Sequence, residues 1–342
     1  MSDADFLQAV IDANPSTDLH IPSGTFLIDK PIVINNNASL TMNSDTVLIA
    51  VAEMDFVLTY QGNFNSPTEG KITPPYWKEI ILDKASLAIG RAVADAGKHI
   101  TGGVIDGNGM ASCLYINGFG HFTVRETNCL NGKKYGFYVG GGVEMVASNM
   151  YIRCTMSGLA GNIGLYTNSG DNHYEDIIVI DHTIGIYLDN YDAGANRLFR
   201  CHVWGGPVPA LPGENECEYL KNSIGFKIVS GENVLRDCYA DTSKIGFDVH
   251  NWTRMFGCAY YNNYNVFGLD DVTIIKKHND DPLTITGCFL KKSCPACTLF
   301  AGDETNIIWR DNTLFDLEQP PFAQGGITFF LPPDHPDVQY AR

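Results

Sequence analysis

The chain has 342 residues, 44% of them hydrophobic and 18% charged, a composition that fills a core and excludes a disordered protein. Thirty-nine acidic residues against 23 basic ones leave a formal net charge of −16, which removes any electrostatic basis for binding nucleic acid or an anionic membrane. The 34 glycines, with a dense scatter of Asn and Asp, favour short strands joined by tight turns and exclude a helical bundle.

In chain order, residues 5–13 read as a short amphipathic helix whose apolar side suits it to plug the open end of a stack. Residues 19–28 then read as a strand, a Pro22-Ser23-Gly24 turn and a second strand. The beginning of the chain lacks a basic segment followed by an apolar run, and no stretch approaches the roughly 18 apolar residues of a membrane span. The expected setting is therefore the cytoplasm or a phage virion, with no membrane partner.

The middle of the chain carries a repeat. Ile163-Gly164, Ile184-Gly185, Ile224-Gly225 and Ile245-Gly246 stand 21, 40 and 21 residues apart, and Tyr135-Gly136 is a looser copy upstream. The longer interval is one repeat plus an insertion at about 205–220. A unit of about 21 residues has room for strands and turns only. Stacked on its neighbours, it specifies an all-β fold, a parallel β-helix with three short strands per turn and turns about 4.8 Å apart. The leucine and asparagine spacing of a leucine-rich repeat is absent.

Ten cysteines are too widely spaced, in too long a chain, to read as a disulfide framework. Cys201, Cys238, Cys258 and Cys288 share a local setting and read as a ladder of buried thiols. Cys294 and Cys297 form a C-x-x-C without the second pair that structural zinc needs, and read as a loop. No metal site is assigned, and Ca²⁺ is the one ion that remains open. The oxygen-rich set Asp171, His173, Glu175, Asp176, Asp181 and His182 lacks a compact ligand loop and reads as turn residues. The β-helix is expected to fill residues 1–315, with 316–342 as a tail on the stack or on a neighbouring subunit.

Ile21-Pro22-Ser23-Gly24-Thr25-Phe26 resembles the first turn of the pectate-lyase-like right-handed parallel β-helix proteins, which commonly reads Ile-Pro-x-Gly-Thr-Tyr; here Phe26 replaces the Tyr. Gly103-Val104-Ile105-Asp106-Gly107-Asn108-Gly109 is similar to a turn of many members. The resemblance implies carbohydrate chemistry, since the superfamily includes polysaccharide lyases, polygalacturonase-like hydrolases and phage tailspike depolymerases, some of them homotrimers. Gly268-Leu269-Asp270-Asp271 resembles the paired aspartates of polygalacturonases, but the Gly-His-Gly and Arg-Ile-Lys that should follow are missing.

Register locates a candidate site. If each Ile of Ile-Gly faces the core, the residues three and five positions later face outward. The first such column reads Tyr138, Tyr166, Tyr187, Lys227, Asp248, and the second reads Gly140, Asn168, Asp189, Val229, His250. Tyrosine faces stack on sugar rings, and the charged end supplies chemistry. Solvated surface side chains are the bland alternative. Asp189 and Asp248 are expected two turns apart, about 9.5 Å, near the upper limit for the acid and base of an inverting glycosidase. Lys227 between them favours an ionised carboxylate, and His250 can substitute in either role. The insertion brings Glu214 and Glu216 toward this face, while Trp204, Trp252 and Arg254 stand at nearby corners as subsite candidates.

These residues point to an enzyme that cleaves glycosidic bonds of a polysaccharide or oligosaccharide by carboxylate-assisted hydrolysis. The alternative chemistry is β-elimination by a lyase, with Lys227, His250 or an Arg as base and with or without Ca²⁺. The alternative of another class is a glycan-binding phage-tail or adhesin β-helix without turnover.

Overall fold

A computed structural model describes residues 1–62, 97–156, 159, 161–189, 196–206, 218–229, 231–262, 269–292, 294–318, 320 and 328–329. The chain winds into an all-β parallel solenoid of about ten turns. Ten strands, from Ile32–Ile34 to Ala296–Gly302, form one parallel sheet along its length. The strands of the other two faces are assigned to a single sheet because Val146–Arg153 and His173–Ile180 each run across the corner between them. The short strand Thr328–Phe329 is the exception in direction, pairing antiparallel with Ile307–Arg310.

The corner between those two faces explains the abundance of Asp, Asn and Gly. Asp176, Arg200, Asp237, Gly257 and Gly287 occupy it in consecutive turns, all with φ between 51° and 64°. That left-handed backbone suits Gly and, less readily, Asx residues. Arg200 tolerates the position while its guanidinium grips Asp176 at 2.6 Å and Glu175 at 2.7 Å. Two members of the oxygen-rich set are thereby engaged by a cation from the next turn.

The cysteine ladder follows from the same corner. Cys201, Cys238, Cys258 and Cys288 each come directly after such a residue and turn fully into the core. The backbone N–H groups of Tyr239, Ala259 and Phe289 donate to the carbonyls of Cys201, Cys238 and Cys258 in turn, which holds the ladder in register. Burial pushes the thiols of Cys201, Cys238 and Cys258 well up, so they pack as small apolar groups. Cys297 departs from the expected loop, because it lies within the strand Ala296–Gly302.

The N-terminal helix spans Asp3–Ala13, with Ser2 and Asp5 forming a capping box and Ala4, Leu7 and Ile11 buried. It seals the first turn with hydrogen bonds as well as apolar contact. The Gln8 amide donates to the Val33 carbonyl at 2.9 Å and accepts from the Val33 N–H at 2.8 Å, imitating a neighbouring strand on the exposed edge of Ile32–Ile34. Asp3 accepts the Leu27 N–H at 2.8 Å on the adjoining face. Strands Asp18–Ile21 and Gly24–Ile28 flank the expected turn, and Gly24 takes φ +146°, which only glycine adopts readily.

Candidate functional site

The Ile-Gly repeats align as the spacing predicts: Tyr135, Ile163, Ile184, Ile224 and Ile245 are successive partners in the ten-stranded sheet. The premise that each isoleucine faces the core needs correction. Ile184, Ile224 and Ile245 are only half-buried, while the following glycine and the residue after it are buried. A Cβ on Gly164 would lie 2.1 Å from Val179 Cγ1, and one on Gly185 would lie 2.2 Å from Val203 Cγ1. The glycine is thus where this sheet meets the neighbouring core strand. Two successive inward positions there restore the outward phase for the residues three and five places after the isoleucine.

Tyr115, Tyr138, Tyr166, Tyr187, Lys227, Asp248 and Lys276 therefore form one column in direct register. Ring centroids of Tyr115 and Tyr138 are 4.7 Å apart, those of Tyr138 and Tyr166 4.7 Å, and those of Tyr166 and Tyr187 5.2 Å, the last two pairs meeting edge to face. Lys227 Nζ caps the run, 4.8 Å from the Tyr187 centroid. Phe56 stacks on Tyr115 at 5.0 Å, and Tyr135 packs 5.0 Å from Tyr138. Phe56, Tyr115 and Tyr135, with Glu53, Lys133 and Lys134, line an open groove of about 860 Å³ at the N-terminal end of the track. Burial, then the Tyr115 and Tyr135 hydroxyls, pushes the Tyr138 phenol up to about 12; burial, then Asp189, does the same for Tyr187. Burial raises Tyr166 further still, and its hydrogen bond to Asp189 acts in the same direction. The track is an uncharged aromatic surface at neutral pH.

The second column holds Asn117, Gly140, Asn168, Asp189, Val229, His250 and His278, and from Gly140 onward each donates its backbone N–H to the preceding turn. Asn168 Nδ2 donates to Tyr138 Oη at 3.2 Å, and Tyr166 Oη donates to Asp189 Oδ2 at 2.8 Å. Asp189 is half-buried and opens onto the outer face.

Asp189 and Asp248 do not form the expected pair. They belong to different columns, two turns apart and offset by two residues along the strand, which places their Cα atoms roughly 11–12 Å apart. The residue two turns beyond Asp189 in its own column is His250. Asp248 is also withdrawn from solvent, with only 6% of its side chain exposed. Its Oδ2 lies 3.3 Å from His250 Nε2 and its Oδ1 lies 2.6 Å from His278 Nε2. The two imidazoles stack at 3.6 Å with an interplanar angle of 9°, and 29% and 31% of their side chains remain exposed. Burial lowers the His250 pKa; Asp248 opposes this shift and His278 reinforces it. A carboxylate oxygen and the two Nε2 atoms lie within 4.8 Å of one another, close enough to hold one metal ion.

Trp204, Trp252 and Arg254 do not stand on the tyrosine face. Trp204 ends a strand of the other sheet, and Arg254 lies in Thr253–Phe256 with its guanidinium 5.1 Å from the Trp252 ring, just beyond the corner that follows His250. Glu214 and Glu216 lie outside the described residues. The base of their insertion is pinned: buried Asp181 accepts the Gly206 N–H at 2.8 Å, and Tyr219 Oη donates to the Gly206 carbonyl at 2.7 Å. Phe56, Tyr115 and His278 escape sequence reasoning because their turns carry no Ile-Gly marker to set the register, and Tyr135, in the marker position of its own turn, reads from the repeat as facing the core.

No protein-family model matches the chain, and no curated protein matches it. Solved structures do. The enzymatically active domain of tailspike protein 4 from bacteriophage CBA120 superposes with a TM-score of 0.62 at 13% identity, over 92% of this chain and 42% of that one. The tailspike protein of E. coli bacteriophage HK620, solved with a hexasaccharide, gives 0.57 at 13% identity, over 92% and 62%. The endo-xylogalacturonan hydrolase of Aspergillus tubingensis gives 0.53 at 9% identity, over 92% and 90%. The chain spans only 40% to 62% of the lengths of the phage proteins it matches. At such identities the likeness concerns architecture, and on that basis the chain has the right-handed parallel β-helix fold of these proteins.

Proposed function

We propose that the chain binds a polysaccharide or oligosaccharide lengthwise along the tyrosine column and hydrolyses a glycosidic bond beside Asp189. The observation that carries this reading is the in-register run Tyr115, Tyr138, Tyr166, Tyr187, which ends at a partly exposed carboxylate held by Tyr166. Neutral, closely packed rings offer sugar faces an apolar surface over several turns, and Asn168 and Lys227 add polar contacts beside it. From Tyr115 to Lys276 the column spans six turn spacings, roughly 29 Å, enough for an extended oligomer. Neighbouring folds include a glycoside hydrolase and a tailspike solved with a hexasaccharide, which supports a glycan ligand and a phage-associated setting.

In this reading Asp189 is the base that takes a proton from the attacking water. The proton for the departing sugar oxygen comes from the opposing cluster of Asp248, His250 and His278, whose histidines reach the surface while Asp248 orients them. Asp248 is thus a positioning residue, a change from the direct acid or base role that the sequence suggested.

Incubation with a panel of bacterial-surface and plant polysaccharides, followed for reducing ends and near-ultraviolet absorbance, tests the proposal. New reducing ends without absorbance, lost in Asp189→Asn, are expected. An absorbing unsaturated product would replace hydrolysis with β-elimination. Saturable binding without product would leave an adhesive β-helix, and cleavage undiminished in Asp189→Asn would remove Asp189 from the chemistry.

A further inference from the structure

We propose that Asp248, His250 and His278 form a binding site for a divalent transition-metal ion, held by one carboxylate and two imidazole Nε2 atoms at the end of the tyrosine track. The fold brings the three together from two turns. Asp248 and His250 point the same way from one strand and its end, and His278 stacks below His250 after the next strand, Asp271–Lys277. Asn279 Nδ2 donates to the His250 carbonyl at 2.6 Å and ties the two histidine-bearing segments to each other.

Two imidazole nitrogens and a carboxylate oxygen converge closely enough to share one ion. Both Nε2 atoms converge on one carboxylate, one on each oxygen, from rings stacked 3.6 Å apart. Ligands at metal distances of about 2.0–2.1 Å in a tetrahedral site lie about 3.3 Å from one another. The His250 Nε2 to Asp248 Oδ2 separation is 3.3 Å, long for an N–H···O bond. The His278 contact of 2.6 Å must open and the two parallel rings must tilt out of their stack so that both Nε2 lone pairs meet at the ion, movements that their part-exposed side chains allow.

Charge points the same way. Among the described residues, the ion pairs of buried Asp248 are with these two imidazoles alone. The two lysines beside it in the column, Lys227 and Lys276, make no ion pair with it among the described residues, and Lys227 lays its ammonium over the Tyr187 ring. A buried carboxylate is costly unless it is fully paired. A divalent ion would complete that pairing, and the part-exposed rings give it a path.

Two nitrogen donors and one oxygen select zinc, cobalt, nickel or copper over the oxygen-seeking calcium and magnesium. The ligand class thus differs from the calcium considered from sequence. If the hydrolysis proposed above also holds, the ion's bound water replaces an imidazole as the proton source; only this clause depends on that reading.

The test uses the whole chain, freed of metal by chelator, titrated with Co²⁺ by visible absorption and with Zn²⁺ by calorimetry, without any glycan. One ion per chain is expected, with Zn²⁺ displacing Co²⁺ and Ca²⁺ failing to compete. His278→Ala and His250→Ala should each weaken binding at least tenfold. No saturable uptake would mean that the three residues form only a hydrogen-bonded triad, and binding that survives in both variants would place the ion elsewhere. Either result overturns the site and leaves the glycan reading untouched.

Discussion

His278 Nε2 lies 2.6 Å from Asp248 Oδ1, although thirty residues separate the two in the chain. The contact exists because Asp248 pairs with Lys276 across one turn of the stack, which sets His278 below His250. His278→Ala deprives a buried carboxylate of its shorter contact. Allowing for the part-exposed histidine, the loss should be about 1 kcal/mol of stability, seen as a lower denaturant midpoint with unchanged slope. His250→Ala, with the longer contact, should cost less.

Gly164 and Gly225 occupy equivalent positions with different surroundings. A Cβ at Gly164 meets Val179 Cγ1 at 2.1 Å, whereas at Gly225 the nearest core side chain is the Ala240 Cβ at 3.0 Å. Both would also press on a neighbouring carbonyl oxygen at 2.7 Å. Gly164→Ala should therefore destabilise the chain by at least the roughly 1–3 kcal/mol of an overpacked core, and Gly225→Ala by less. Adding Val179→Ala to Gly164→Ala should recover part of the loss. Equal midpoints for the two glycine variants would show that the neighbouring core strand does not dictate the glycine.

Tyr166 has two separable parts, a ring within the aromatic column and a hydroxyl on Asp189. Tyr166→Phe should keep glycan affinity within a few-fold while altering the cleavage rate. Tyr166→Ala should lower affinity about tenfold, in line with roughly 0.5–1.5 kcal/mol for an aromatic contact. Calorimetry with the bound glycan, beside a rate assay, separates the two effects.

Burial raises the Asp181 carboxyl above its ordinary value, even though Tyr219, the Gly206 N–H and Arg153 each pull it down. A raised folded pKa means that the folded state holds this proton more tightly than the unfolded state does. Its contribution to stability is then greatest below the ordinary carboxylate pKa of about 3.9 and declines as pH rises toward the folded value. The melting temperature of the parent relative to Asp181→Asn should fall as pH increases across that window. A difference independent of pH would contradict the shift.

The cysteine ladder is fully buried, and burial pushes the thiols of Cys201, Cys238 and Cys258 up. An aromatic disulfide reagent at pH 8 should leave these three unmodified in the native chain and label them promptly in denaturant. Rapid native labelling of any of them would mean that the stack opens there.

The Ile-Gly interval was sufficient to read the coil and the tyrosine column, because a repeating local pattern fixes register without knowledge of distant contacts. Chain order alone also delivered the cysteine ladder and the capping helix. The repeat does not fix the direction of the isoleucines, since the inward step at each glycine depends on which core strand crosses behind it. For a related reason a count of turns omits the two-residue offset along the strand that separates Asp189 from Asp248.

Periodicity, then, determined the solenoid and which side chains share its outer wall, because strands of fixed phase stack wherever repeats recur. Only the tertiary structure decided that Asp248 is buried, that His278 joins it, and that Trp204, Trp252 and Arg254 stand off the tyrosine face. Those outcomes depend on where turns of unequal length bring the next strand end. Such lengths lie in segments without a repeat, so no local pattern records them.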